Sequence, residues 1–221
     1  MSATGRAKPE APQVALFELG GRAPGRHPDD FYATPARVTD GILPHLPTAG
    51  AIVEPSCGDG AILDRLCAAL PRKPGGIYGV ELNVERARQA QARCARRAVV
   101  IEADYLEWAK RPTVEDIGLV IGNPPFAYAL EFVEASIALA APTRGTVAML
   151  LRLAFLESQE RASFHRAHPS DLYPLASRPS FTPDGKTDSA AYAWLVWGPG
   201  RGGRWFAPMD NATGRASREG G

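Results

Sequence analysis

The chain has 221 residues, 45% of them hydrophobic, and 25 basic against 24 acidic residues give a formal net charge of +1. This length suits one α/β domain with small appendages, and the apolar content excludes a wholly disordered chain. No apolar stretch approaches the ~18 residues of a membrane span, and the N-terminus lacks the apolar centre of a signal peptide. We therefore expect a cytoplasmic protein that does not bind membranes.

The cysteine and histidine spacings do not match a metal site. Cys57, Cys67 and Cys94 form no CxxC pattern, and three thiols cannot all pair with one another. His165 and His168 lie three residues apart but have no convincing third ligand. We expect a reducing compartment and no bound metal.

Short apolar runs alternate with longer amphipathic ones between two ends rich in Pro, Gly, Ala and Arg, residues 1–28 and 207–221, which we predict to be flexible tails. The predicted strands are Ala51–Glu54, Ile77–Glu81, Val99–Ile101, Leu119–Ile121, Thr146–Leu151 and Ala190–Trp197. The helices predicted between them are Ala61–Leu70, Val84–Arg97 and Leu130–Ala140. This alternation predicts a mainly parallel, doubly wound α/β sheet, in which ligands bind beyond the carboxyl ends of the strands.

The first predicted strand leads into a glycine-containing turn, Glu54-Pro55-Ser56-Cys57-Gly58-Asp59-Gly60. Gly58 and Gly60 allow a tight turn and a close approach of the backbone to a ligand. The third position after Gly60 is Leu63 rather than Gly or Ala, so the turn does not match the dinucleotide-binding fingerprint. Glu54 would repel a pyrophosphate but suits a cation, such as the ammonium and sulfonium of S-adenosylmethionine.

Two further acidic residues follow the next two predicted strands. Glu81 ends the second strand, where a carboxylate can accept hydrogen bonds from both ribose hydroxyls of a nucleoside. Asp104 lies just beyond the third strand and could accept a hydrogen bond from an adenine amino group. Acids at three successive strand ends therefore indicate a nucleoside-containing cofactor.

Asn123-Pro124-Pro125-Phe126 follows the fourth predicted strand directly and is the most specific motif of the chain. Two prolines fix the backbone and remove two N–H donors, so the loop presents acceptors, the Asn123 side-chain oxygen and the Pro124 carbonyl. Two acceptors can hold both hydrogens of an exocyclic amine, which localises the nitrogen lone pair for attack on a methyl group. Positioning and electrostatics can supply most of the rate acceleration, since a sulfonium is an excellent leaving group.

With these motifs in this order, the chain resembles the class I S-adenosylmethionine-dependent methyltransferases, in particular the DNA adenine-N6 methyltransferases with an NPPF-type motif. The resemblance implies a single Rossmann-like methyltransferase domain over residues 29–206, with an antiparallel late strand. It implies that Asn123, Pro124, Pro125 and Phe126 are catalytic and that Phe126 also binds the base. It implies cofactor contacts from the turn, the strand ends and an N-terminal segment, namely Tyr32, Thr34, Pro35, Glu54, Pro55, Ser56, Gly58, Gly60, Glu81, Asp104 and Asn123.

The stretch 157–189 contains four prolines and is predicted to be a long loop that contacts the DNA. Basic and aromatic side chains alternate in it, which suits phosphate contacts and base stacking. Its candidate substrate-binding residues are Arg161, Arg178, Phe181 and Lys186. Only about 70 residues follow Leu151, so we expect short or relaxed recognition of the DNA sequence, or help from a partner.

Other acceptors remain open. The loop Asn123–Phe126 could equally hold an RNA adenine, cytosine N4 or a protein glutamine amide. A non-catalytic nucleic-acid-binding subunit could also share the fold. Cytosine-N4 enzymes resemble a Ser-Pro-Pro pattern more closely, and glutamine-directed enzymes usually carry an extra N-terminal helical domain. A non-catalytic subunit would be expected to have lost residues of the catalytic loop, whereas the motifs at residues 54–60 and 123–126 are both complete.

Overall fold

A computed structural model describes residues 33–71, 75–181 and 188–209. The predicted cofactor residue Tyr32 and the predicted substrate residue Lys186 lie outside these described residues. The same is true of the predicted tail 1–28 and of residues 210–221.

Seven strands and six α-helices alternate along most of the described chain. The strands are β1 (Ala51–Pro55), β2 (Ile77–Glu81), β3 (Val99–Glu102), β4 (Ile117–Gly122), β5 (Thr146–Arg152), β6 (Asp171–Pro174) and β7 (Tyr192–Trp197). The helices are α1 (Ala36–Ile42), α2 (Ala61–Ala69), α3 (Val84–Cys94), α4 (Tyr105–Trp108), α5 (Ala129–Ala140) and α6 (Gln159–Ala167).

The strands form one sheet in the order β3-β2-β1-β4-β5-β7-β6. β1 pairs in parallel with β2 and β4, and the ladders β2–β3 and β4–β5 are also parallel. β7 is antiparallel to both of its neighbours, β5 and β6. This confirms the predicted α/β fold with a mainly parallel, doubly wound sheet and an antiparallel late strand.

Alternate residues of the central strands enter two separate cores, one on each face of the sheet. Val53 packs with α4 and α5 on one face, whereas its neighbour Ile52 packs with α1, α2 and α3 on the other. Both faces are covered, which is why β1, β4 and β5 read as continuous apolar runs. Trp194 crosses from β7 to α1, where its indole N–H donates to the Val38 carbonyl at 3.0 Å.

The stretch predicted to be a loop, 157–189, instead contains helix α6 and strand β6. The Ser158 hydroxyl caps α6 by accepting from the Glu160 N–H at 3.1 Å, and Phe164 is the buried anchor of this polar helix. β6 is only four residues long and is formed through its pairing with β7. A single apolar anchor and a strand defined by tertiary pairing leave little periodicity in the sequence, so the loop prediction was wrong for these two segments.

The chain runs alongside β6 after residue 202. The Leu172 N–H donates to the Arg204 carbonyl, the Phe206 N–H donates to the Leu172 carbonyl, and Leu175 forms a parallel bridge with Met209. Residues 207–209, which the sequence analysis assigned to a tail, therefore cover the sheet edge. Within the described ranges, none of the helices has the length and hydropathy that crossing a membrane requires.

Candidate functional site

A cavity of about 600 Å³ lies at the carboxyl ends of the central strands. Nine of the predicted site residues line it together: Thr34, Glu54, Ser56, Glu81, Asp104, Asn123, Pro124, Pro125 and Phe126. The topology explains this convergence, because β2, β1 and β4 are adjacent and parallel, so residues that follow them meet at one edge. The residues that line the cavity do not include Pro35, Pro55, Gly58 or Gly60, and cofactor contacts from these four stay predictions.

Glu54 is a buried carboxylate at this edge, with only 3% of its surface exposed. Its Oε2 atom has no hydrogen-bond partner among the described residues. Burial raises the pKa of Glu54 well above its usual value, and the nearby Asp59 and Glu81 carboxylates add to that rise, while the Leu63 backbone opposes it. A carboxylate that is desolvated in this way, with no counter-charge in the described part of the chain, is suited to receive a cationic ligand.

Glu81 already serves the protein through both of its carboxylate oxygens. Oε2 accepts from the Gly58 N–H at 2.8 Å, and Oε1 accepts from the Asn83 N–H at 2.8 Å and from Arg86 Nε at 3.2 Å. A carboxylate has about four acceptor positions, so Glu81 keeps capacity for a ligand hydroxyl while it fixes the glycine turn. This link between the glycine turn and the end of β2 was not predicted, because it joins residues 23 positions apart in the chain.

Gly60 has a packing role that was not predicted for it. Its φ is +83°, and a Cβ added there would lie 2.9 Å from the Ala90 Cα of α3. The missing side chain therefore allows α2 and α3 to pack closely, which fixes where α2 begins. The position therefore serves helix packing, and a close approach of the backbone to a ligand at Gly60 stays a prediction.

We expect Gly60→Ala to destabilise the fold by about 2–5 kcal/mol. A left-handed backbone costs an L-residue about 1–2 kcal/mol, and a clash in a packed core adds about 1–3 kcal/mol. Gly200→Ala is the matched control, because Gly200 has φ +70° and no neighbouring atom within 4 Å of the added Cβ. Urea unfolding of both variants measures the difference, and equal losses would show that the contact with Ala90 carries no cost.

Apolar and polar groups are combined at the β2 and β3 side of the cavity. Leu82 lines the cavity while 69% of its surface is exposed, which leaves an apolar surface for a flat ring to cover. Asp104 caps α4 through Oδ1, which accepts from the Leu106 N–H at 2.8 Å. Tyr105 holds α4 against α5 through its hydroxyl, which lies 2.7 Å from the Ser136 hydroxyl.

Asn123 is oriented by one end of its amide, which leaves the other end available. Its Nδ2 donates to the Thr34 Oγ1 at 3.1 Å, and Thr34 is itself buried before α1. The buried Oδ1 atom has no hydrogen-bond partner within the described part of the chain. Leaving a buried acceptor unpaired costs about 1–3 kcal/mol, so this oxygen is suited to receive a donor from a ligand.

The aromatic residue of the same loop, Phe126, is packed by residues that the sequence analysis did not identify. The Arg152 guanidinium lies over the Phe126 ring at 4.1 Å from its centroid, and the Tyr192 ring lies at 5.9 Å. Asp188 binds both Arg152 and Tyr192. A charged residue at the end of the otherwise buried strand β5 was the available sequence signal.

Three of the predicted substrate residues of the 157–189 segment are described by the structure, and Arg161, Arg178 and Phe181 do not line the cavity. Arg161 donates three hydrogen bonds to backbone carbonyls of residues 154, 155 and 157, so its guanidinium holds the turn before α6. Arg178 is exposed. Phe181 packs edge-on against Tyr192, with ring centroids 5.1 Å apart. A substrate contact from Arg161, Arg178 or Phe181 stays a prediction.

Thiol and metal chemistry receive no support from the described residues. Cys57 lines the cavity, but burial raises the pKa of its thiol, and the Glu54 and Glu81 carboxylates raise it further. The thiolate nucleophile is therefore disfavoured. Within residues 33–71, 75–181 and 188–209, no three His, Cys, Asp or Glu residues are grouped as metal ligands.

The fold is similar to several solved methyltransferase structures. The methyltransferase subunit of a type I restriction-modification system from Streptococcus thermophilus matches with a TM-score of 0.58 and 16% identity over 77% of this chain. A dimethyladenosine transferase from Plasmodium falciparum matches with a TM-score of 0.56 and 12% identity over 76% of this chain. A Listeria monocytogenes protein assigned to the class I S-adenosylmethionine-dependent methyltransferases matches with a TM-score of 0.54 and 14% identity over 78% of this chain.

The chain spans 45%, 63% and 59% of the lengths of these three structures, respectively. No known family profile matches the sequence, and no curated protein matches it. At 12–16% identity the likeness shows the fold alone, an α/β fold that this chain shares with these three proteins.

Proposed function

We propose that the protein is an S-adenosylmethionine-dependent methyltransferase that modifies an exocyclic amino group, adenine N6 in DNA. The observation that carries the proposal is the buried Oδ1 of Asn123, which has no hydrogen-bond partner among the residues that the structure describes. It lies in the same cavity as the buried, unpaired Oε2 of Glu54. One acceptor suits a neutral amine and the other suits a cation, which are the two groups that this reaction brings together.

The residues that line the cavity fit the cofactor. Glu54 would bind its ammonium group, Glu81 a ribose hydroxyl, and Leu82 and Asp104 the face and amino group of its adenine. When bound, this cofactor supplies an electrophilic methyl group on a sulfonium. The exposed apolar surface of Leu82 and the unpaired oxygen of Glu54 are the features of the chain that support this assignment.

Asn123 and its loop would hold the acceptor amine. Oδ1 accepts one amine hydrogen, and the Pro124 carbonyl accepts the other, so the nitrogen lone pair is localised and oriented. The bond from Asn123 Nδ2 to Thr34 fixes the amide, which removes the entropic cost of orienting it during the reaction. The amine loses its proton to solvent after transfer, since the methylated cationic nitrogen is a strong acid.

The acceptor base must leave its helix to reach this cavity. The amine of a stacked, paired base is inaccessible to residues in a cavity, so the base is extruded or the substrate is single-stranded. Phe126 lines the cavity beside Asn123 and provides an aromatic face for the base. Base–aromatic stacking stabilises a bound base by about 1–3 kcal/mol, which offsets part of the cost of unstacking.

Proteins of similar fold support a nucleic-acid acceptor without deciding between DNA and RNA. One is a restriction-modification methyltransferase subunit and another is a dimethyladenosine transferase. The NPPF-type motif favours adenine N6 in DNA through the family resemblance, and RNA adenine is the second candidate. A glutamine amide would present the same two hydrogens to Asn123 and Pro124.

The test incubates the protein and tritiated S-adenosylmethionine with duplex DNA, single-stranded DNA, RNA and a glutamine-containing peptide. The nucleic acids are then digested to nucleosides, and the modified species is identified. We expect N6-methyladenine from DNA. Label in RNA or peptide alone would overturn the DNA assignment, and cofactor binding without label in any acceptor would favour the non-catalytic alternative.

A further inference from the structure

Arg152, Asp188 and Tyr192 form a cluster beside the proposed catalytic loop. β5 ends at Arg152, which pairs directly with Tyr192 in the antiparallel ladder, so both side chains lie on one face of the sheet. Asp188 precedes Tyr192 by four residues. Phe126 follows β4, the other neighbour of β5, and the strand order therefore brings it to the same place.

The three polar side chains close a ring of hydrogen bonds. Arg152 Nε donates to the Tyr192 hydroxyl at 3.0 Å, and Arg152 Nη2 donates to Asp188 Oδ2 at 3.0 Å. The Tyr192 hydroxyl donates to that same Asp188 oxygen at 2.6 Å. Tyr192 is buried, and the side chains of Arg152 and Asp188 are 25% and 21% exposed.

The electrostatics keep each member in its hydrogen-bonding form. Burial raises the pKa of Tyr192, so the hydroxyl stays protonated and can donate. Although burial acts to raise the pKa of Asp188, its hydrogen bonds from Tyr192 and the Ala190 N–H, together with the Arg152 charge, hold it below its usual value. The guanidinium plane is therefore fixed by two different partners rather than by one.

The fixed guanidinium lies over the Phe126 ring at 4.1 Å from its centroid. Such a contact between a cation and an aromatic face restrains the ring, and a planar guanidinium does so better than an ammonium. Phe126 sits in a short 3-10 turn, Phe126–Tyr128, whose N-cap makes no side-chain hydrogen bond. The ring itself is partly buried against the core and faces Tyr192 as well as Arg152.

We propose that Arg152, Asp188 and Tyr192 are positioning residues that hold the Phe126 ring in the orientation in which it stacks on the acceptor base. This inference rests on the proposed function. The cluster acts through Phe126 and does not line the cofactor cavity. Its loss therefore affects the use of the acceptor and spares the binding of the cofactor.

A double-mutant cycle tests the inference with Arg152→Met, Phe126→Leu and the double variant. We expect Arg152→Met to lower kcat/KM for the acceptor by about ten- to a hundredfold, the scale of a small misplacement, with an unchanged cofactor Kd. The double variant should lose no more than Phe126→Leu alone, because Arg152 acts through that ring. The inference would be overturned if the loss of acceptor kcat/KM in the double variant equalled the product of the two single losses. A cofactor Kd that changes with Arg152→Met would also overturn it.

Two controls separate positioning from a general structural role. Arg152→Lys keeps the charge without the planar face and should lose nearly as much acceptor kcat/KM as Arg152→Met. Arg204→Met removes another arginine that lies over a phenylalanine and pairs with an aspartate, but at the far edge of the sheet. Arg204→Met should lower the free energy of unfolding and leave kcat and KM for the acceptor unchanged. The inference would be overturned if Arg204→Met lost as much acceptor kcat/KM as Arg152→Met does.

An NMR measurement keeps the inference testable even where no acceptor is methylated. The Arg152 Nε–H signal of 15N-labelled protein should lie upfield through the Phe126 ring current and should exchange slowly with solvent. Phe126→Leu should move this signal downfield without faster exchange, and Asp188→Asn should broaden it. An Arg152 signal at the random-coil position in the wild type would refute the positioning role, whatever the outcome of the methylation assay.

Discussion

Asn123→Ala should abolish methyl transfer, with a loss of kcat of at least about a hundred- to a thousandfold, while the cofactor Kd stays within about threefold. Removing one positioned hydrogen-bonding group from a catalytic site costs a loss of that size. The substitution deletes the unpaired Oδ1 that we propose as the amine acceptor, together with the amide that donates to Thr34. Single-turnover transfer and calorimetric cofactor titration measure the two quantities separately.

Asn83→Ala is the matched control for this prediction. The Asn83 side chain caps α3 by accepting from the N–H groups of Glu85 and Arg86, and it contributes nothing to the proposed amine site. Its loss should lower the free energy of unfolding by about 0.5–2 kcal/mol and leave kcat intact. Equal losses of kcat in the two variants would remove the proposed role of Asn123.

The central elements of the fold follow closely from the sequence. β2 spans the predicted residues Ile77–Glu81, because a buried apolar run ends there in an acid. α3 was predicted to reach Arg97 but ends at Cys94, since Ala95 and Arg96 adopt positive φ angles of 45° and 65°. Neither residue carries the usual signal for that conformation, so the helix end was not predictable from residue type.

Some residues of the candidate site were predictable from local sequence patterns, whereas others are brought together only by the tertiary structure. Glu54 lies near the end of β1 and Asn123 directly follows β4, and parallel pairing of these two strands brings both residues to one cavity. The Arg152 cluster depends on the β5–β7 register and joins residues 36 and 40 positions apart in the chain. No local pattern encodes that register. Gly60 shows a second reason why the sequence was not sufficient. A turn that approaches a ligand and a tight contact between helices both require glycine, so the residue type alone does not distinguish them.

Glu54→Gln should weaken cofactor binding about ten- to a hundredfold. A hydrogen bond that involves a charged group stabilises by about 1.5–3 kcal/mol, and each 1.4 kcal/mol corresponds to a tenfold change in Kd. The substitution keeps the size of the side chain and removes the charge that we propose to pair with the ammonium. Calorimetry with S-adenosylmethionine measures the Kd, and an unchanged value would exclude Glu54 as its partner.

The same variant should change how affinity and stability depend on pH. Because burial raises the pKa of Glu54 in the free protein, binding a cation requires that the carboxyl lose its proton. Affinity of the wild type should therefore fall as pH drops below that raised pKa, whereas Glu54→Gln should show no such loss.

The free energy of unfolding depends on pH in the opposite direction from the affinity. The folded free protein binds the Glu54 proton more tightly than the unfolded chain does, so this group destabilises the fold progressively as pH rises from the unfolded carboxyl range to the raised pKa. Above that window, ligand-free Glu54→Gln should have the higher free energy of unfolding, while saturating cofactor stabilises the wild type more. If the free energies of unfolding of the wild type and the variant changed equally across this pH window, Glu54 would already have a counter-charge in the free protein. A variant with higher stability and weaker cofactor binding would instead show that the cost of burying this carboxylate is retained because the ligand needs it.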